Sequence, residues 1–131
     1  MSTAPAPAPA SSGIQPNICG LLCYLPLGPI PLIASIAFLV VDPYKQNKFI
    51  RFHAFQSLFF LGAAIATYFA LLIVGTLLAF MGPLALLMLP IWFVVGIGLF
   101  AVAVFMCIKA FGNEKFKLPL IGDLAEKQAN A

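Results

Sequence analysis

The sequence predicts an all-α membrane protein, a three-helix transmembrane bundle with an amphipathic C-terminal segment. Of its 131 residues, 63% are hydrophobic and only 8% are charged. A soluble domain usually carries about 25% charged residues and under half apolar ones. A chain of this length cannot bury so much apolar surface in its own core. Two stretches without a charged residue, 18–41 and 54–108, are therefore expected to lie in lipid.

The first 17 residues form a low-complexity tail that is rich in alanine and proline. The alternating run at residues 4–10 favours extended polyproline geometry, which cannot build a core. The tail lacks the basic start and the apolar stretch of a secretory signal. We therefore expect residues 1–17 to be disordered and the transmembrane domain to comprise residues 18–108.

The first apolar segment, residues 18–41, is interrupted by Pro26, Gly28, Pro29 and Pro31. Prolines remove backbone donors and kink helices, although membrane helices tolerate them where neighbours satisfy the freed carbonyls. The segment is either a broken span or a re-entrant loop. Because a spanning helix needs about 20 residues, its length favours the span.

The second apolar stretch, residues 54–108, must fold back on itself. As one helix it would be about 80 Å long, whereas the hydrocarbon core of a bilayer is about 30 Å thick. Gly82 and Pro83 both interrupt helices, so they mark the turn. The predicted spans are about 54–81 and 84–108, and Asn47 is the predicted cap of the helix that contains the first of them.

The C-terminal tail, residues 109–131, is polar and predicted to be cytoplasmic. Asp123 and Glu126 have the spacing of a capping box. Four apolar residues would share one face of a short helix: Leu120, Ile121, Leu124 and Ala125. This pattern predicts an amphipathic helix that rests on the membrane surface or on the bundle ends.

The distribution of positive charge predicts the topology. With three spans, all seven basic residues fall on one side: Lys45, Lys48, Arg51, Lys109, Lys115, Lys117 and Lys127. Short basic loops remain cytoplasmic during insertion. The N-terminus is therefore predicted outside and the C-terminus inside, whereas a re-entrant first segment would move the N-terminus inside.

A polar helix face is the first candidate site, formed by His53, Gln56 and Ser57, with Thr67 further along nearly the same line. Polar side chains at membrane depth face protein or water rather than lipid. The face indicates either a polar entrance to a pathway between helices or interhelical hydrogen bonding near the headgroups. A tetrapyrrole ligand role for His53 is a further alternative, but ligation by two histidines is excluded because the chain has only one.

Two further sets of residues are candidates for contacts with lipid and with other helices. Lys45, Lys48 and Arg51 lie beside several phenylalanines, so they either hold anionic lipid headgroups or serve only to determine topology. Small residues allow helix backbones to approach closely. The candidates for such packing, within one chain or between chains, are Gly62, Ala66, Ala70, Gly96 and Gly98.

The residue types argue against an enzyme. The four carboxylates lie outside the apolar stretches, and the sequence contains no nucleophile motif, metal constellation or glycine-rich phosphate loop. The three cysteines, Cys19, Cys23 and Cys107, are expected to pack as small hydrophobic residues. The sequence predicts no catalytic, cofactor or metal site, and its dispersed basic residues do not favour nucleic acid.

Two stretches carry a family resemblance. Residues 47–57, NKFIRFHAFQS, resemble the signature of a widespread family of small, largely uncharacterised prokaryotic membrane proteins. Residues 112–127, GNEKFKLPLIGDLAEK, look like its C-terminal signature. That family is distantly similar to the channel-type subunit of the chloroplast inner-envelope import translocon. The resemblance implies a prokaryotic cytoplasmic membrane location, and it implies four spans in the chloroplast relatives, against three predicted here.

The leading functional hypothesis is a non-enzymatic small subunit of a larger, translocon-like membrane assembly. Its partners would be the lipid bilayer together with other membrane subunits or further copies of the chain. A cytoplasmic contact surface is predicted at Lys115, Lys117, Asp123, Glu126 and Lys127. The alternatives are a self-assembled channel or carrier for small solutes and an anionic-lipid-binding membrane organiser.

Overall fold

The computed structural model describes residues 13–131, and this part of the chain is helical, without strands. Most of the predicted disordered tail, residues 1–12, lies outside the described residues. Five α-helices follow in chain order: α1 Pro16–Tyr24, α2 Ile30–Val40, α3 Lys48–Ala79, α4 Met88–Phe111 and α5 Ile121–Ala129. Short 3₁₀ turns, Tyr44–Gln46 and Gly82–Leu87, precede α3 and α4.

Two helical segments are long and apolar enough to cross a membrane, Lys48–Ala79 and Gly82–Phe111. The predicted cap at Asn47 is confirmed, because its side chain accepts hydrogen bonds from the backbone N–H groups of Phe49 and Ile50 at 2.9 and 3.3 Å. The cap starts α3 six residues before the charge-free stretch begins, so the helix extends beyond the predicted span. The chain reverses at the predicted turn, where Gly82 adopts a φ of +75°.

Residues 18–41 do not form one spanning helix, and the predicted three-helix bundle is not confirmed. Pro26 and Pro29 flank a turn between α1 and α2, in which Gly28 adopts a φ of +56°. The two helices have 9 and 11 residues, or about 14 and 16 Å at 1.5 Å per residue. Each is too short to cross a hydrocarbon core of about 30 Å. The two helices therefore form a hairpin.

The two ends of this hairpin meet. The backbone N–H of Ile14, just before α1, donates to the hydroxyl of Tyr44, just after α2, at 3.0 Å. The Tyr44 ring also packs edge-on against Phe38 of α2, with ring centroids 5.1 Å apart. The chain therefore enters and leaves the α1–α2 hairpin at the same end of the molecule.

The helix predicted in the C-terminal tail is present as α5, but the predicted capping box is wrong. Leu120, with a φ of 64°, occupies the N-cap position, and no side chain caps the helix. Asp123 lies inside the first turn, where its carboxylate turns to Lys117 instead. The inner face of α5 consists of small residues, with Ala125 and Ala129 packed against Phe52 of α3.

The core lies at one end of the molecule. Cys19, Cys23 and Tyr24 of α1 pack with Phe49, Ile50 and Ala54 of α3 and with Met106, Cys107 and Ala110 of α4. We call this part, residues 13–57 and 103–131, the charged end, since it holds every charged residue of the sequence. We call residues 58–102 the uncharged half. Met88 is its only buried residue.

Candidate functional site

Three of the four residues predicted on the polar helix face lie together in the core of the charged end. His53, Gln56 and Ser57 are buried on α3. The Asn47 cap fixes where α3 begins, and the helical repeat then places these positions on one face toward α1. The rings of Phe49 and Phe52 pack edge-on against the imidazole of His53, with centroids 4.6 and 5.1 Å away.

Both ring nitrogens of His53 have hydrogen-bond partners inside the protein. Nδ1 lies 2.9 Å from the hydroxyl of Tyr24 in α1, and Nε2 lies 3.0 Å from the backbone carbonyl of Glu114. A carbonyl only accepts, so Nε2 carries the proton and Nδ1 accepts from Tyr24 when the ring is neutral. This assignment follows from the network, which is how tautomers are inferred without visible hydrogens.

Gln56 completes the network from the next turn of α3. Its side-chain N–H₂ donates to the hydroxyl of Tyr24 and to the carbonyl of Phe116, both at 2.9 Å. Its side-chain carbonyl accepts from the backbone N–H of Leu118 at 2.9 Å. The amide orientation is thereby fixed, since reversing it would face N–H₂ with an N–H donor. Ser57 donates to the carbonyl of Cys23.

We call Tyr24, His53 and Gln56 the polar hub. It joins the end of α1, the start of α3 and the backbone between Glu114 and Leu118. A neutral imidazole fits this arrangement without an unsatisfied donor. A protonated ring would donate to Tyr24 from Nδ1 and leave the phenol hydrogen facing two donors. Neither ring nitrogen is left to bind a tetrapyrrole metal, so the geometry does not favour that alternative.

Thr67 does not join this cluster. It lies in the uncharged half, is exposed, and donates its hydroxyl to the carbonyl of Ala63 one turn earlier at 2.9 Å. Such a bond within one helix satisfies the hydroxyl without a neighbouring helix. The predicted polar line therefore ends at Ser57, and the described chain does not extend it toward the middle of α3.

The three basic residues predicted at lipid headgroups have different surroundings. Lys45 pairs with Asp42 at 3.4 Å. Arg51 donates to the carbonyls of Ala129, Gln128 and Lys45 at 3.1, 3.2 and 3.3 Å. Its positive charge therefore lies at the C-terminal end of α5, where the helix dipole favours a cation. Lys48 is exposed.

The predicted contact tail is folded back onto the protein. Lys117 pairs with Glu126 at 3.0 Å and with Asp123 at 3.6 Å. The hydrogen bond to Glu126 raises the pKa of Lys117 above its usual value of 10.5. The ammonium of Lys115 lies 5.8 Å from the centroid of the Phe52 ring. Of the five predicted contact residues, Lys127 is exposed and has no ion pair within the part of the chain that the structure describes.

Of the five predicted packing residues, one lies at a contact between α3 and α4, and four lie on the exposed surface of these helices. A side chain at Gly96 would meet the hydroxyl of Tyr68 at 3.0 Å, so this glycine allows α3 and α4 to approach closely. Tyr68 also packs against Trp92 of α4, with centroids 5.2 Å apart. The remaining four are exposed: Gly62, Ala66, Ala70 and Gly98.

Comparison with known proteins identifies the family. The model of the magnetosome magnetite crystal formation protein family, MamF/MmsF, matches residues 15–125. The chain belongs to this family. This supports the family of prokaryotic membrane proteins suggested by the two sequence stretches, whereas the similarity to the chloroplast import subunit is not shown.

Archaeal membrane proteins are also similar to this member of the MamF/MmsF family. A UPF0132 membrane protein of Archaeoglobus fulgidus is 36% identical over 115 residues, which cover 88% of this chain and 96% of the relative. One of Methanocaldococcus jannaschii is 35% identical over 117 residues, covering 89% and 91%. No solved structure matches the chain.

Sequence reasoning missed two parts of the site. It treated Tyr24 as part of an apolar span. A buried phenol usually needs a hydrogen-bond partner, so a tyrosine inside an apolar segment was itself a sign of a polar contact. It also missed the backbone groups of Glu114, Phe116 and Leu118, which no local pattern marks. The three cysteines are free and buried, and no group of three or more candidate metal ligands occurs among residues 13–131.

Proposed function

We propose that this protein is a non-enzymatic small subunit of a membrane assembly, which acts through its surfaces rather than through a reaction. The observation that carries the proposal is the unequal packing of the chain. The polar groups that would be candidates for chemistry bond to each other in the polar hub. The uncharged half, in contrast, presents two long apolar helices with little packing of their own.

The exposed small residues of α3 support an assembly. Helices in lipid associate through close backbone contact at small residues, because the apolar tails of lipids remove the hydrophobic driving force. Gly62, Ala66 and Ala70 follow one another at intervals of four along a single face, and a side chain at Gly62 would meet nothing within 4 Å. The α3 helix therefore has room for a helix of another subunit.

Mild extraction of the native complex tests this proposal. We expect the wild-type chain to co-purify with other membrane chains or with further copies of itself, and Gly62→Leu to weaken that association. Ile97→Leu is the matched control, because Ile97 is exposed and already large, and it lies on α4 rather than on the small-residue face of α3. A wild-type monomer without co-purifying chains would refute the assembly.

We further propose that the protein spans the membrane twice and that α1 and α2 form a re-entrant hairpin. The hydrogen bond between Ile14 and Tyr44 supports this topology, because it keeps the two ends of the hairpin on one side. Residues 25–31 suit an apolar medium. Three of them are prolines without N–H groups, and the N–H groups of Leu27 and Ile30 donate to backbone carbonyls.

This topology moves the N-terminus to the side that holds every basic residue, which the positive-inside rule places in the cytoplasm. Reporter fusions at the two ends distinguish it from the three-span prediction. We expect both reporters to be cytoplasmic, in a prokaryotic cytoplasmic membrane. An external N-terminal reporter beside an internal C-terminal one would contradict the re-entrant hairpin.

A channel or carrier is less well supported than an assembly subunit. The groove between α3 and α4 is lined by apolar side chains such as Leu61, Ile65 and Phe69, together with Tyr68 and Trp92. Water in such a groove would find few partners. A conductance in reconstituted bilayers that disappears in His53→Phe would favour the channel. The translocon-like role rests only on the sequence resemblance.

Mineral binding and lipid organisation are both less well supported than the role of an assembly subunit. The family name refers to magnetite, but the four carboxylates, Asp42, Glu114, Asp123 and Glu126, all pair with lysines. Of the three cations considered for headgroups, Lys45 has a carboxylate partner and Arg51 binds backbone carbonyls of α5. Retention of anionic liposome binding after neutralising Lys45, Lys48 and Arg51 together would exclude the lipid-organising role through these residues.

A further inference from the structure

We propose that Leu120 and Leu124 insert among the acyl chains of the cytoplasmic leaflet and thereby anchor the C-terminal helix at the membrane interface. This inference rests on the proposed topology, in which the charged end faces the cytoplasm. The two leucines, which we call the leucine patch, are 83% and 55% exposed. They lie beside Asp123 and Glu126, whose carboxylates pair with Lys117.

The depth of the leucine patch follows from hydrogen bonds at the two ends of α5. Near its start, the N–H of Leu118 bonds to Gln56, and at its end the carbonyls of Gln128 and Ala129 bond to Arg51. Since α3 rises by 1.5 Å per residue, these anchor points differ in depth by about 8 Å. The α5 helix therefore runs antiparallel to α3, and its leucine-bearing start lies closer to the hydrocarbon.

The orientation of α5 turns the patch away from the protein. Gly122, Ala125 and Ala129 are the buried residues of the helix, and at 3.6 residues per turn Leu124 lies about 200° around the axis from Gly122. Asp123 and Glu126, which pair with Lys117, lie on a different flank. The start of α5 thus carries an apolar side chain on one flank and carboxylates on the other, which is the pattern of an interfacial helix.

The backbone at Leu120 is unusual for a leucine in water. Its φ of 64° and ψ of −50° are those of a γ-turn, a rare and strained conformation, and the N–H of Ile121 donates to the carbonyl of Pro119 across it at 2.7 Å. Because the Leu120 side chain is exposed, packing within its own chain does not offset the strain of its backbone. Contact with acyl chains would stabilise the side chain at this position, and it would account for an apolar residue at the apex of the tail.

Lipid fits the patch better than a protein partner because α5 packs beside the part of α3 that enters the charge-free stretch. Phe55 and Phe59, which flank α5, both fall within the charge-free stretch 54–108. At the other end of the helix, the exposed Lys127 has no ion pair among residues 13–131. A cation there suits an anionic headgroup, while the leucines reach the acyl boundary.

Labelling of a cysteine introduced at one position, in lipid nanodiscs, tests this proposal. Leu124→Cys is compared with Asp123→Cys, its neighbour on the charged flank, using a membrane-impermeant charged maleimide. The wild-type chain, with its three buried cysteines, gives the background. Because the thiolate is the reactive form and an apolar medium disfavours it, we expect Leu124→Cys to react at least about tenfold more slowly than Asp123→Cys.

The labelling rates distinguish insertion in lipid from exposure to water and from contact with a second copy. Equal labelling rates for the two variants would overturn the proposal. Protection of Leu124→Cys only in nanodiscs that hold two copies would also overturn it, in favour of a second copy. Replacement of Leu120 by Cys, with a fluorophore quenched by lipids labelled along the acyl chain, provides a second measurement. A failure of the assembly proposal would leave all these results unchanged, because they use the purified chain.

Discussion

The two ends of the molecule differ in what surrounds them. In the charged end, five segments of the chain meet, and side-chain hydrogen bonds connect α1, α3 and the backbone after α4. In the uncharged half, α3 and α4 meet where Tyr68 lies against Gly96 and Trp92 and where Met88 lies against Gly75. The charged end is stabilised from within, whereas the uncharged half has few contacts of its own in the described chain.

This difference shows which contacts can determine how the segments of a small membrane protein pack together. Apolar packing alone does not distinguish a neighbouring helix from lipid, because both present similar surfaces. A buried polar network does, since each donor requires one acceptor in one place. The polar hub therefore fixes the end of α1 against α3, while residues 58–102 contain no such network.

The largest effect is expected from Gln56→Leu, which removes three hydrogen bonds from the hub. The carbonyl of Phe116 and the N–H of Leu118 would lose their partner. Buried unsatisfied groups cost about 1–3 kcal/mol each, so for these two groups we expect a loss of about 2–6 kcal/mol. Unfolding by dodecyl sulfate in mixed micelles measures the change.

Thr67→Val is the control for this substitution. The Thr67 hydroxyl bonds only to its own helix, so its removal should change the free energy of unfolding by less than about 0.5 kcal/mol. If the two variants lost similar stability, the charged end would not be the more stable part of the molecule.

The second comparison uses one glycine in each region. An added Cβ at Gly20 would lie 2.9 Å from the Cβ of Ala110, whereas Gly62 has open space. We expect Gly20→Ala to destabilise by about 1–3 kcal/mol through overpacking. Gly62→Ala should stabilise the single chain by about 0.5–1 kcal/mol, because alanine is the better helix former. Thermal unfolding in single-copy nanodiscs measures both, and equal losses would contradict the difference in packing.

Some features could be predicted from the sequence because their causes are local. The Asn47 cap depends on the next three residues, and the turn at Gly82 depends on two helix-breaking residues. The absence of charge over 54–108 predicts a membrane location from composition alone. Each of these patterns lies within one segment of the chain, so no knowledge of distant neighbours is needed.

Other features depend on distant parts of the chain. The length of residues 18–41 favours a span. The contact between Ile14 and Tyr44 that closes the hairpin joins residues 30 positions apart, so no local pattern indicates it. Asp123 and Glu126 matched a capping box locally, yet Lys117 is close enough to bind both. His53, Gln56 and Ser57 were singled out by residue type, while their partners in α1 and the tail required the fold.

The next prediction concerns how α5 is held. Arg51→Gln removes the cationic donor from the carbonyls of Gln128 and Ala129. Hydrogen bonds from charged groups contribute about 1.5–3 kcal/mol when well formed, so for this partly exposed side chain we expect a loss of about 1–2 kcal/mol in the docking of α5. Amide hydrogen exchange should accelerate in residues 121–129 and stay unchanged in the uncharged half.

Lys48→Gln is the matched control for Arg51→Gln, because Lys48 is exposed one turn earlier on α3. It removes the same charge without removing a bond to α5. Faster exchange of α5 in Lys48→Gln would mean that general electrostatics, rather than the specific hydrogen bonds of Arg51, hold the helix.

The smallest effect is expected from Lys117→Gln, which removes exposed ion pairs to Glu126 and Asp123. Solvent and salt screen such pairs, so the wild-type chain should lose this contribution as ionic strength rises, while the variant is insensitive. Because the pKa of Lys117 is raised above 10.5 in the folded protein, its contribution is complete below that pH and disappears as the pH rises past the folded pKa. Amide exchange of residues 121–129 at low and high salt measures the difference. An identical salt response of both proteins would show that these ion pairs do not help to dock α5, and that Arg51 and the small inner face are sufficient.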